Sequence, residues 1–103
     1  MNQLLMELLE YRVVLGALVT TMDGLVIAHA GLNPEDTELL AAASSSQTGD
    51  DLYVSANTRG GTMHVLRGQD MRLVVLTDSA LPREPVVAMM SRQLAALEEA
   101  IAV

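Results

Sequence analysis

Between Arg59 and Val103, two short strand patterns meet at a turn and lead, through a proline-marked break, into one long amphipathic helix. The first strand is Thr62-Met63-His64-Val65-Leu66-Arg67, and Gly68-Gln69-Asp70 supplies turn residues before the apolar run Leu73-Val74-Val75-Leu76. A continuous branched run of this kind suits a central strand covered on both faces, whereas a strand with one wet face alternates. Pro82 and Pro85 end the strand region because neither can donate to a ladder, and the helix is expected to begin near Pro85. Val87, Met90, Leu94, Leu97 and Ile101 recur at steps of three and four, which predicts one apolar stripe lying on the sheet.

Upstream, Leu4, Leu5, Leu8 and Leu9 have helical spacing and predict a short first helix ending near Tyr11 or Arg12. The β-branched segment from Val13 to Thr21 turns at Met22-Asp23-Gly24 into a second strand from Leu25 to Ala30, a predicted hairpin. Asn33 offers a cap, Pro34 fits the first helical position, and Glu35 and Asp36 complement the helix dipole, so a middle helix should run on through Leu39 to Ser46. Gly49-Asp50-Asp51 breaks it, and a third strand follows from Leu52 to Asn57 before the chain turns at Thr58-Arg59-Gly60-Gly61.

The order is therefore αββαβββα. Sequential hairpins imply a mainly antiparallel five-stranded sheet, with the middle helix on one face and the terminal helices sharing the other. The expected class is α+β, a three-layer sandwich, with residues 1–103 as a single domain.

Composition narrows the partners. Hydrophobic residues make up 50% of the chain, yet Phe and Trp are absent, so Leu, Val, Ile, Ala and seven Met must fill the core. Thirteen acidic residues against six Arg and no Lys give a net charge of −7, which repels a phosphate backbone and an anionic lipid surface. Nucleic acid and direct membrane insertion are therefore not expected, and no segment has the ~20 consecutive apolar residues that span a bilayer. The first ten residues carry Glu7 and Glu10 but no basic side chain, unlike a secretory signal, so a cytoplasmic location is expected.

No catalytic constellation emerges. His29 and His64 fall on separate strands, without cysteine or clustered carboxylates at a metal-ligand spacing, and are expected at the core rim or the sheet surface. Ser44, Ser45 and Ser46 have no paired base and no nucleophile elbow. Gly60-Gly61 lacks the Lys-Ser or Lys-Thr of a phosphate loop and reads as a turn. Neither a cofactor nor enzymatic chemistry is expected.

Val19-Thr20-Thr21-Met22-Asp23-Gly24-Leu25-Val26-Ile27, the helix Leu39-Leu40-Ala41-Ala42-Ala43-Ser44-Ser45-Ser46, the Gly60-Gly61 turn, and Leu73-Val74-Val75-Leu76 before Leu81-Pro82 occur in an order that resembles the Roadblock/dynein light chain family. The resemblance covers essentially the whole chain. It implies the profilin/longin-like Roadblock fold, and homodimers or heterodimers whose sheets join edge to edge with the middle helices side by side. It also implies binding or regulation of small GTPases, as in the bacterial Mgl-type regulators of a Ras-like GTPase. The implied function is a non-catalytic homodimeric adaptor that modulates or scaffolds the nucleotide cycle of a small Ras-like GTPase.

Those expectations mark candidate interface residues on two elements. The third strand reads as an uncovered edge offering Tyr53, Ser55 and Asn57 on one face, with Val54 in the same ladder; it either pairs with a second copy or stays solvated behind Asp50 and Asp51. On the middle helix, Leu39, Ala42, Ala43 and Ser46 either allow close helix approach or simply reflect high helix propensity. Arg59 is the arginine placed to face a partner, with a plain solvated charge as the alternative. Two other functional readings stay open. One is a purely structural dimerisation module; the other is a small-molecule sensor whose pocket would draw on Met63, Met71, Met89 and Met90 and would need an apolar cavity with convergent polar groups.

Overall fold

Five strands and three helices form in the predicted order: α1 (Asn2–Leu8), β1 (Val14–Thr21), β2 (Val26–Ala30), α2 (Pro34–Ser46), β3 (Tyr53–Thr58), β4 (Gly61–Arg67), β5 (Met71–Thr77) and α3 (Arg83–Ile101). The computed structural model describes residues 1–46 and 52–101; for Ser46 it describes the backbone alone. The predicted helix breaker at Gly49, Asp50 and Asp51 therefore lies outside the described residues.

The strands make one sheet in the order β2-β1-β5-β4-β3, and all four pairings are antiparallel. β5 is the central strand, which is where its unbroken apolar run belongs: both of its faces are covered, and Leu73, Val74 and Val75 are fully buried. One layer of core lies under α1 and α3 and contains Leu5, Leu8, Leu73, Val75, Met90 and Leu97. The other lies under α2 and contains Leu18, Leu40, Met63, Val65, Val74 and Leu76. This is the three-layer α+β sandwich. Met63, Met71 and Met90 take the volume that aromatic side chains would otherwise fill, each being at most 1% exposed.

The local signals behave as capping chemistry requires. Asn33 Oδ1 accepts the Asp36 amide at 2.7 Å, Pro34 opens α2, and Glu35 and Asp36 lie in its first turn. The Asp23-Gly24 turn closes through Gly24 N–H donating to the Thr21 carbonyl at 3.0 Å, with Gly24 at φ +94°.

Four boundaries or registers differ from expectation. α1 ends at Leu8 rather than near Tyr11 or Arg12, because the amides of Leu9, Glu10 and Tyr11 each bond three residues back and tighten the last turn. α3 starts at Arg83, two residues before Pro85; first-turn amides have no intrahelical acceptor, so the missing proline donor costs nothing there. The buried stripe of α3 is Val86, Met90, Leu94 and Leu97, so Val86 replaces the expected Val87, which is only half-buried. Ile101 is 45% exposed. One turn earlier Glu98 already reaches the β4–β5 turn, where its Oε1 accepts the Gln69 amide at 2.8 Å, so the helix has passed the end of the sheet by Ile101.

Candidate functional site

The two edges of the sheet are built differently. β2 has five residues, and its pairing with β1 shifts between Val19 and Thr20, leaving Ile27 as the extra residue of a bulge. Bulges twist an edge away from further pairing. β3 has six residues paired to β4 without interruption, from Tyr53 with Leu66 to Thr58 with Gly61. It carries no proline, lysine or bulge.

Which backbone groups face outward follows from the ladder. The Arg67 amide donates to the Leu52 carbonyl at 2.8 Å. In an antiparallel pair, hydrogen-bonded and non-hydrogen-bonded residues alternate, so Val54, Ala56 and Thr58 bond β4, while the amides and carbonyls of Tyr53, Ser55 and Asn57 point off the free edge.

The side chains of β3 divide differently from the expectation. Ser55 and Asn57 are exposed, but Tyr53 is 8% exposed and belongs to the core beneath α1 and α3. Its backbone stays at the edge; its ring does not face a partner. The reason is a polar relay across three strands. Tyr53 Oη lies 2.7 Å from His64 Nδ1, His64 Nε2 lies 3.0 Å from Thr77 Oγ1, and the Thr77 hydroxyl donates to the Ser79 carbonyl at 2.7 Å. Because the Thr77 hydrogen is spent on Ser79, its oxygen accepts from Nε2–H, and Nδ1 is left to accept the tyrosine hydrogen. His64 is thus a buried, neutral imidazole rather than a surface one, and desolvation holds its pKa below the ordinary 6.5. The Arg83 guanidinium sits 5.3 Å from the centre of the Tyr53 ring, tying the start of α3 to the same edge strand. His29, by contrast, is on the exposed side of β2.

The small-residue run of α2 is split between faces. Ala41 and Ser44 are buried against the sheet, with the Ser44 hydroxyl donating back to the Ala41 carbonyl at 2.8 Å. Ala42 is exposed, Ala43 and Ser45 are half-buried, and Leu39 projects outward with 62% of its surface exposed. The Ser46 side chain lies outside the described residues. A groove of about 230 Å³ between α2 and the β3–β4 turn brings Leu39 and Ala43 together with Asp36, Arg59 and Gly60. Ala42 lines the opposite flank of α2, in a groove of about 510 Å³ that it shares with Leu25, His29 and Glu38. The structure thus gathers Leu39, Ala43 and Arg59, sets Ala42 beside β2, and turns Tyr53 to the other side of the sheet. Among the described residues, no three His, Asp or Glu side chains converge on a metal-sized site.

The relay does have a signal in the sequence. A two-residue Arg59-Gly60 loop fixes the register of β3 on β4, and that register puts Tyr53 and His64 on one face, one diagonal step apart.

Among the described residues, no helix is long and apolar enough to cross a membrane. The family model described as Roadblock/LC7 domain matches residues 1–80. A Roadblock/LC7 domain from Streptomyces avermitilis superposes with a TM-score of 0.85 at 19% identity, over 100% of this chain and 98% of that one. A second structure of a Roadblock/LC7 domain from Streptomyces avermitilis gives 0.78 at 28% identity, over 92% and 95%. The gliding protein MglB from Thermus thermophilus gives 0.63 at 19% identity, over 88% and 80%. Comparison with curated proteins finds no match. With the family model covering more than three quarters of its length and the same sheet flanked by the same helices, the chain belongs to the Roadblock/LC7 domain family.

Proposed function

We propose that residues 1–103 act as one Roadblock unit that dimerises through β3 and α2 and, as a dimer, docks a small Ras-like GTPase in the cytoplasm, modulating or scaffolding its nucleotide cycle without an active site of its own. The observation that carries the dimer is the contrast between the bulged β2 edge and the straight β3 edge with the outward amides of Tyr53, Ser55 and Asn57. Two copies related by a twofold axis satisfy these groups reciprocally and bring the α2 helices side by side, with Leu39 as the large apolar contact. Val54, Ala43 and Ser46 complete the interface in this reading, whereas Ala42, on the β2 flank of α2, falls outside it. Arg59 forms no ion pair among the described residues and lines the groove with Leu39; in this reading it meets a partner's acidic or phosphate-bearing surface.

The GTPase half of the reading rests on family membership and on the MglB likeness. It is tested by titrating the protein onto the Ras-like GTPases of its own genome in both nucleotide states, recording binding and GTP turnover together. Nucleotide-selective binding supports it, a change in turnover distinguishes a regulator from a scaffold, and failure to bind any of them removes it and leaves a structural dimer.

A further inference from the structure

On the face of the sheet opposite α2, the α1–β1 connection and the first turns of α3 enclose an apolar groove of about 380 Å³. Its walls are Tyr11, Val13, Leu81, Pro82 and Met89, with Arg92 at one end. Tyr11 is 47% exposed, and Val13, Leu81 and Met89 pack on the core beneath, so the floor is fixed while the mouth is open. Pro82 and Pro85 offer no amide donor along one wall, so an occupant cannot be held there as an added strand and must bind by inserting side chains.

The rim indicates what those side chains accompany. A polar hollow of about 300 Å³ adjoins the groove, sharing Tyr11 and Arg92 with it and adding Glu7, Glu10 and Gln93. Among the described residues, neither glutamate nor Arg92 is held in an ion pair. Two carboxylates against one guanidinium leave an excess of one negative charge beside the apolar groove, and the chain around it carries −7. A basic residue next to an apolar anchor balances that rim and is steered towards it.

We infer that this groove is a second docking site, for an amphipathic peptide segment of a partner protein that inserts an apolar side chain between Tyr11 and Met89 and sets a flanking Lys or Arg against Glu7 and Glu10. The site is independent of the α2 and β3 surfaces and stays open when those are occupied.

The absence of Trp from the chain makes the test clean, because tryptophan emission then reports the ligand alone. The probe is a short, end-blocked peptide with one Trp between two Leu and Lys at the flanking positions, titrated with the full-length protein. The expected result is a saturable blue shift. Ala88→Arg, at an exposed position on the groove wall, weakens it about tenfold or more; Tyr11→Ala serves the same purpose if that variant fails to fold by circular dichroism. Glu7→Gln with Glu10→Gln weakens binding about threefold and flattens its salt dependence. Leu39→Asp leaves it unchanged. The inference is overturned by no saturable shift, by equal binding by folded Ala88→Arg or Tyr11→Ala, by equal binding of a peptide with Glu in place of Lys, or by a loss confined to Leu39→Asp. Equal binding by N-acetyltryptophanamide would make the groove a small-molecule pocket and would likewise overturn the peptide reading.

Discussion

At the residue scale, His64 concentrates the physical tension of the fold. Its imidazole is 1% exposed, with Tyr53 and Thr77 saturating both nitrogens, so folding favours the neutral form. A histidine whose folded pKa is depressed contributes stability that is complete above the unfolded value of 6.5 and is lost as pH falls, since the unfolded chain then binds more protons. Thermal melts should therefore show Tm falling as pH drops from about 7 to 5.5, and His64→Asn should flatten that segment of the curve while lowering Tm at neutral pH. Tyr53→Phe keeps the ring beneath Arg83 but leaves Nδ1 without its donor, at a cost of about 1–3 kcal/mol by denaturant titration. Gly61 is constrained by space as well as by angle. It has φ +147°, and a Cβ there would collide with the Thr77 carbonyl, so Gly61→Ala should cost about 1–3 kcal/mol and lower Tm by at least ~4 °C.

At the scale of elements, the same strand chemistry gives opposite outcomes at the two edges, and α2 stands beside the one that is free to pair. If α2 packs against its copy, Leu39→Asp should raise the dissociation constant for self-association about tenfold or more, with Tm of the dissociated chain unchanged because that side chain is 62% exposed. Equal self-association by sedimentation velocity would place the contact elsewhere. The elements themselves were legible in the sequence, because their signals are local and mutually consistent: the Asn33-Pro34 cap, the Asp23-Gly24 turn and the apolar run of β5 each specify one structure. Sequence and structure part where tertiary contacts decide. Periodicity pointed to Val87 for the α3 stripe, whereas packing on the sheet buries Val86 with Met90, Leu94 and Leu97. Alternation put Tyr53 on a face with Ser55 and Asn57, but not that the layer beneath α1 and α3 reaches far enough to bury its ring. The apolar groove beside Tyr11 gave no sequence signal, since its walls come from segments about seventy residues apart that only the fold brings together.

At the scale of the whole molecule, the sandwich presents two grooved faces separated by the sheet. The α2 face carries the small-residue helix, Leu39 and the Arg59 turn; the α1 and α3 face carries the Tyr11 groove and the Glu7–Glu10 rim. Edge pairing through β3 would extend the sheet on the side away from the Tyr11 groove, so a dimer built that way would carry two copies of that groove. The net charge of −7 makes encounter with a positively charged partner surface salt-sensitive, and raising ionic strength from about 0.05 to 0.5 M should slow association with any such GTPase more than dissociation.

The proposed dimer depends on the β3 edge, and its most direct test is the mass of the protein in solution, by light scattering, for the natural chain and for Ser55→Pro. The Ser55 amide points off the edge and its side chain is exposed, so proline there removes a donor to a second copy without touching the β3–β4 ladder. The natural chain should have twice its 11.0 kDa formula mass, and folded Ser55→Pro should have 11.0 kDa. A monomeric natural chain, or a Ser55→Pro variant that remains dimeric, would contradict assembly through this strand.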